Sequence, residues 1–247
     1  MMSNNKSALV TGANKGIGQE IARQLGMIGY SVWLGCRDEG RGEQAAAELR
    51  KAGIDAHTLL LDVTSDISVV QAVDKFAQGS EHLDVLVNNA GINVDRNKPS
   101  ETKVENMHTV YEVNTFGPVR VTLAFLPFLR KAECARVVMM SSSLGSITAA
   151  LDPTSETYDV NLLSYNSSKA ALNMITVMFA KDLHADGIKV NAVNPGFADT
   201  DLNQHHGHRT VEEAAKIAIK LATIGVNGPT AGFFNDGYFN DLGRHAW

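Results

Sequence analysis

Cysteine is nearly missing from this chain of 247 residues. Cys36 and Cys134 stand far apart, outside any CxxC pair and without a histidine at metal-ligand spacing. That leaves no disulfide framework and no thiolate metal site, and the two thiols are expected to be reduced, small hydrophobes of a cytoplasmic protein. Long apolar runs are missing as well. No stretch approaches the roughly 18 uninterrupted apolar residues of a membrane span, and Met1-Met2-Ser3-Asn4-Asn5-Lys6-Ser7 holds no apolar segment of signal-peptide length. A basic excess is also absent: 22 Lys and Arg against 27 Asp and Glu give a net charge of -5. Without a clustered positive face, nucleic acid is not an expected partner. No Pro- or Ser-rich linker and no repeat divides the chain, so one domain is expected over residues 1–247. What is present, 44% hydrophobic and 20% charged residues, suits a globular protein with a full core.

Short β-branched runs alternate with longer amphipathic stretches from end to end. The strand-like runs are 7–10, 31–35, 56–61, 83–87, 136–140, 189–193 and 232–234. Most are continuously apolar, the pattern of a parallel sheet covered on both faces. Helical patterns occupy 17–28, 42–52, 65–78 and 165–184. The fold class expected is α/β, a doubly wound Rossmann-type domain with a mainly parallel seven-stranded sheet. Ligands of such sheets bind beyond the carboxyl ends of the strands, where the strand order reverses. The unusual residues of this sequence fall just after the strands.

The first strand runs into Thr11-Gly12-Ala13-Asn14-Lys15-Gly16-Ile17-Gly18 and then a helix. Glycines here let the backbone turn sharply, approach a pyrophosphate and pack the helix on the strand. The helix N-terminus then offers free N–H groups and a positive dipole end. Alone, a glycine triplet is as often a plain turn; between the first strand and first helix, binding is favoured. The second strand ends Gly35-Cys36-Arg37-Asp38, with no acidic residue where a free ribose would be bound. Arg37 can grip a 2′-phosphate bidentately, and Lys15 is expected to add a second cation. Asp38 is a candidate counter-ion for Arg37. The cofactor expected is NADP(H).

The spacing Gly12, Gly16, Gly18 resembles the short-chain dehydrogenase/reductase family, and the resemblance runs through nearly the whole chain. It implies that Asp62 and Val63 contact the adenine. In Asn88-Asn89-Ala90-Gly91 it implies a strand-tying role for Asn88, with Asn89, Ala90 and Gly91 beside the cofactor. Pro195, Gly196 and Thr200 resemble the family's segment at the nicotinamide end. Asn14 and Ile17 join the cofactor set through the glycine loop.

Tyr165-Asn166-Ser167-Ser168-Lys169 places Tyr165 and Lys169 four apart, on one face of a helix. Carbonyl reduction needs a proton delivered to the developing alkoxide. Free tyrosine titrates near ~10, and a neighbouring ammonium is expected to favour the phenolate. The resemblance adds that Lys169 holds the nicotinamide ribose. A third group should polarise the carbonyl, and the family pattern selects Ser142, with Ser141 and Ser143 one position away on either side. Asn114 in Asn114-Thr115-Phe116-Gly117 matches the family's NxxG, which implies a helix distortion seating a water that joins Lys169 to solvent. Read alone, it is an ordinary polar helix residue.

Ser142 and Tyr165 lie farther apart than in most of the family, though the carbonyl-reductase branch usually lengthens this segment more. The stretch 148–161, with Asp152, Glu156 and Asp159, is expected to shape specificity or subunit packing. The substrate-loop elements are placed at about 144–162 and 196–210. Leu144, Phe197 and the 201–209 loop complete the expected specificity set, in a cleft favouring an apolar carbonyl compound or alcohol. His205, His206 and His208 are read as solvated loop residues and no metal is expected. Met174 and Met178 are expected to fill core or interface gaps. The aromatic tail of Tyr238, Phe239 and Trp247 could pack on this subunit, a partner or substrate. Three classes compete: a reductase, a catalytically silent NADP-binding regulator, and an epimerase or dehydratase of the extended branch. The intact set Asn114, Ser142, Tyr165 and Lys169 favours the reductase. A homo-oligomer formed through helices at about 114–131 and 165–184 is expected, a monomer being the alternative.

Overall fold

The structure is a computed structural model, and it describes residues 6–236 and 243–247. In chain order the elements begin β1 (Ser7–Thr11), α1 (Gly16–Met27), β2 (Ser31–Cys36), α2 (Glu39–Lys51), β3 (Ala56–Leu60), α3 (Asp66–Ala77) and β4 (Val85–Asn88). There follow α4 (Val104–Tyr111), a π-helical turn at Glu112–Phe116, α5 (Gly117–Leu129), β5 (Arg136–Met140) and the short α6 (Ile147–Leu151). The chain closes with α7 (Leu163–Asp182), β6 (Lys189–Val193), α8 (Val211–Ala222), β7 (Phe233–Asn235) and β8 (Gly243–Arg244). The sheet order is β3-β2-β1-β4-β5-β6-β7-β8. The seven strands read from the sequence all pair in parallel. Antiparallel β8 is an addition of two residues on β7, too short to leave a periodic signal.

Continuous apolar strands are explained by what lies on each face. Along β1, Ala8 and Val10 point into one core cluster and Leu9 into the other. The first cluster takes Ile21, Ala22 and Leu25 of α1, Ala45 and Leu49 of α2, and Ala215 and Leu221 of α8. The second takes Phe76 of α3, Phe125 and Phe128 of α5, and Leu172 of α7. Phe76 meets Phe125 and Phe128 edge-on at centroid distances of 5.4 and 5.1 Å. Deleting a ring so enclosed costs about 3–5 kcal/mol. The two layers fix the sheet between them, and the order reverses between β1 and β4, opening a crevice at their carboxyl ends.

The starts of α2, α3 and α8 are set by side-chain caps rather than by apolar periodicity. α2 begins three residues before the expected Gly42 because the Asp38 side chain accepts from the Arg41 N–H at 2.9 Å. Asp38 also faces the Arg41 guanidinium at 3.6 Å, so it is not the counter-ion expected for Arg37. The tail turns back on its own chain. Trp247 stacks on Phe233 at 5.6 Å, and the Thr148 N–H donates to the Trp247 carbonyl at 3.2 Å. Tyr238 and Phe239 lie outside the described residues.

Candidate active site

The N-terminus of α1 differs from those of α2, α3 and α8. Those three carry a side-chain cap and an acidic residue in the first turn; α1 has neither. Its first N–H groups are left for a ligand, and nothing there repels an anion. Gly12 (φ 65°) and Gly16 (φ 58°) hold left-handed backbone that favours glycine. A Cβ on Gly18 would stand 2.4 Å from Asn89 Nδ2 and 2.5 Å from the Gly12 carbonyl. The loop is a cradle in which side chains have no room, and it fits a dinucleotide pyrophosphate.

Asn89 sets the height of that cradle. Its amide donates to the Thr11 carbonyl at 2.8 Å and the Gly12 carbonyl at 3.2 Å, and its own N–H donates to Thr11 Oγ1 at 3.0 Å. These bonds give Asn89 a positioning role within the loop. Asn88 ties elements together as expected, its amide reaching Thr122 Oγ1 on α5 at 3.0 Å and Met139 Sδ on β5 at 3.3 Å. Ala90 donates its N–H to Thr11 Oγ1 at 3.0 Å. Asp62 accepts from the Thr64 N–H and hydroxyl, and buried Val63 passes its carbonyl to Arg120. Beyond β2, Cys36 is buried, its thiol pushed up to about 11 by burial, then by the charge of Asp38. Arg37 is exposed at the strand end with no protein partner among the described residues.

Lys15 departs from the expectation that it converges with Arg37. Its ammonium pairs with Asp201, which joins the glycine loop to the segment after β6. His205 completes the clasp, with Nδ1 2.6 Å from Asp199 and Nε2 2.8 Å from Asp201. The two carboxylates hold its pKa above the usual value. His205 is therefore ion-paired rather than merely solvated, and only His206 of the three reaches the cleft. His208 lies 6.0 Å from the Phe197 ring. Asn14 is half-buried in the glycine loop, and Thr200 lies 3.8 Å from where a Gly16 Cβ would stand.

Tyr165 is buried in the first turns of α7, near enough to the Ser142 hydroxyl for that group to lower its pKa, and the same hydroxyl accepts from the Leu144 N–H at 3.2 Å. Ser141 instead donates to Asn173 Oδ1 at 2.6 Å, and Asn173 donates to the Gly145 carbonyl at 3.1 Å. Of the three serines, Ser142 is the one the turn presents to the tyrosine. Lys169 sits one helical turn on, buried, its ammonium donating to the Met140 carbonyl at 2.7 Å and 5.6 Å from the Tyr165 ring centre. Burial pushes Tyr165 up to about 12 and Lys169 down to about 8. Desolvation outweighs the lowering by the Ser142 hydroxyl, and the expected lowering of the phenol by Lys169 is not seen.

Asn114 lies in the π turn, fully buried. Its Oδ1 accepts from the Ile92 N–H at 2.8 Å, and its Nδ2 donates to the Ile92 carbonyl at 2.9 Å and Ser168 Oγ at 3.1 Å. Thr115 adds a bond to the Ser168 carbonyl. The distorted helix is thereby stitched to the turn of α7 carrying Tyr165 and Lys169. Gly91 lies between them: a Cβ there would be 3.5 Å from Asn114 Oδ1 and 3.6 Å from Lys169 Nζ. Ser168 carried no signal of its own, since YxxxK leaves that position unspecified.

A cleft of about 380 Å³ opens beside Ser142 and Tyr165. Leu144, Val160, Leu162, Pro195, Phe197 and Leu202 give it apolar walls, and Ile17, Gly196 and Thr200 form its cofactor side. Of the stretch 148–161, only Val160 reaches it. Asn93 and Arg96, on the segment after β4, also line the cleft and were not anticipated, because that segment carries no motif. Met174 and Met178 are 61% and 48% exposed, so they do not fill the core.

The comparisons agree with this geometry. The sequence profile of the short chain dehydrogenase family matches residues 6–210. A short-chain dehydrogenase, anuI, of Penicillium roqueforti is 36% identical over 224 residues, covering 88% of each chain. The (+)-neomenthol dehydrogenase of Arabidopsis thaliana is 34% identical over 271 residues, covering 88% of this chain and 91% of that one. The crystal structure of NADPH-bound carbonyl reductase from chicken fatty liver superposes with a TM-score of 0.86 at 29% identity, covering 98% and 99%. On the profile match and the shared length, this chain belongs to the short-chain dehydrogenase family.

Proposed function

We propose that the protein is an NADP(H)-dependent carbonyl reductase, working in reverse as a secondary-alcohol dehydrogenase, with the whole chain as one dinucleotide-binding domain. The observation that carries the reading is Tyr165, buried beside the Ser142 hydroxyl at the mouth of an apolar cleft that adjoins an uncapped helix N-terminus. The likeness to an NADPH-bound carbonyl reductase supports the same choice. In this reading Gly12, Gly16 and Gly18 admit the pyrophosphate, Arg37 takes the 2′-phosphate, and Asp62 and Val63 flank the adenine. Ala90, Gly91, Pro195, Gly196 and Thr200 border the nicotinamide end. The bound nicotinamide supplies hydride.

Ser142 donates a hydrogen bond to the substrate oxygen, and Tyr165 delivers its proton there as negative charge develops. A phenol held near 12 is fully protonated at neutral pH, the state reduction requires. Lys169 holds the ribose and, as its own pKa is near 8, can pass a proton onward. Asn114, across Gly91 from Lys169, supports a water relay from solvent. Location in the cytoplasm suits the two free cysteines. No described helix is long and apolar enough to cross a membrane. A homo-oligomer is supported by the exposed Leu123 on α5 and Met174 and Met178 on α7. The test is NADPH consumption with a panel of ketones and aldehydes, NADH as control. Tyr165→Phe should abolish turnover while leaving NADPH binding nearly intact, since the phenolic proton is used only in the chemical step. Near-native reduction by Tyr165→Phe refutes the mechanism.

A further inference from the structure

Arginines in this protein are almost all neutralised. Among the described side chains, Arg23, Arg41, Arg50, Arg120, Arg130 and Arg209 each face a carboxylate. Arg136 donates to the carbonyls of Ile224 and Cys134. Arg37 and Arg96 are left. The first lies at the end of β2, where the reading above places the cofactor's phosphate. The second lines the cleft. Its Nη2 donates to the Leu202 carbonyl, 3.0 Å away, and a guanidinium has four further N–H donors to give.

Among the described residues, no carboxylate pairs with that charge. Asp95, the preceding residue, is buried and turned away, accepting from the Asn97 N–H at 3.0 Å and the Ser164 hydroxyl at 3.4 Å. Asp199 and Asp201 on the opposite loop are held by His205 and Lys15. Among the described residues, no acidic one lines the cleft. His206 donates Nδ1–H to the Asn203 carbonyl at 2.9 Å, which leaves Nε2 open, and Asn93 Oδ1 is buried without a partner. The cleft therefore has largely apolar walls, with one cation, the exposed Arg96, and uncommitted polar groups on the wall that joins β4 to the loop after β6. We propose that Arg96 is the specificity-determining residue of this site, and that it receives a carboxylate. The substrates are then apolar oxo acids, with the ketone at Ser142 and Tyr165 and the acid group on Arg96. The inference rests on the carbonyl-reductase reading for the first contact and on the unpaired guanidinium for the second.

The test compares 5-oxo-5-phenylpentanoic acid with its methyl ester, identical in ketone and chain. The native protein should show a higher kcat/KM for the acid, the difference lying in KM. Arg96→Gln should shrink the acid-to-ester ratio by about ten-fold or more, the scale of one charged hydrogen bond. Arg96→Lys should keep part of it, since the charge remains without the fork. Binding of both compounds to the NADPH-loaded Tyr165→Phe protein, with and without Arg96→Gln, is read in parallel by calorimetry. A tighter acid that depends on Arg96 upholds the inference even if neither compound consumes NADPH, in which case the reductase reading fails instead. An acid-to-ester ratio that Arg96→Gln leaves unchanged in binding overturns the inference.

Discussion

Lys169→Met removes a charge from a buried site. The side chain is 4% exposed, and its ammonium has the Met140 carbonyl as acceptor at 2.7 Å. Burial brings its pKa from the ordinary 10.5 to about 8. A displacement of that size corresponds to about 3 kcal/mol withheld from the folded state at neutral pH, at about 1.4 kcal/mol per pKa unit. Losing the bond to Met140 takes back about 1 kcal/mol. Methionine is of similar length and apolar, so the cofactor-free variant should be about 2 kcal/mol more stable at pH 7 while losing activity. The sign follows from proton binding. Between pH 8 and 10.5 the unfolded chain keeps the lysine proton and the folded one has released it, so native stability rises with pH across that window. Below pH 8 both forms are protonated and the penalty is full. The advantage of the variant should therefore be largest at pH 7 and vanish by about pH 10. The raised Tyr165 acts only above pH 10, where phenolate is favoured in the unfolded chain alone, so measurements stop there. Urea unfolding followed by circular dichroism at pH 7, 8, 9 and 10 provides the assay. A variant less stable than the native protein at pH 7, or an advantage constant with pH, would refute the reasoning.

Arg37→Asp should weaken NADPH by two or more kcal/mol in a fluorescence titration, through a lost charged hydrogen bond and added repulsion, and narrow the gap to NADH. Equal use of both cofactors by the native protein would sink the assignment. Gly18→Ala should destabilise the fold by about 1–3 kcal/mol and depress NADPH affinity, because its methyl group displaces Asn89 and lifts the glycine loop; unchanged affinity would show that the cradle tolerates a side chain. Light scattering should return a multiple of 26.6 kDa at micromolar concentration, whereas the monomer mass throughout would mean that Met174 and Met178 cover nothing.

Much of this protein was legible as sequence. Parallel strands buried on both faces have to be continuously apolar, so runs such as Val137–Met140 declare themselves without a partner in view. The glycine loop was readable because only glycine tolerates the left-handed backbone and close approach at Gly12 and Gly18. Tyr165 and Lys169 were readable because helical geometry alone puts residues four apart on one face. What needed the tertiary structure were relations across long sequence distance. Whether Ser141, Ser142 or Ser143 meets Tyr165 depends on how the turn after β5 lies against α7, settled by Asn173 and by the lack of room for a Cβ on Gly145. Lys15 turns to Asp201, 186 positions away, and not toward the end of β2. The sign of the Tyr165 pKa shift rests on burial, which no spacing reports. Arg96 looks in sequence like any surface arginine; only the fold puts it on the cleft wall with Leu202 and leaves it without a carboxylate. Local patterns fix backbone and periodicity because those forces act within a few residues, whereas desolvation and charge pairing depend on neighbours that only folding brings together.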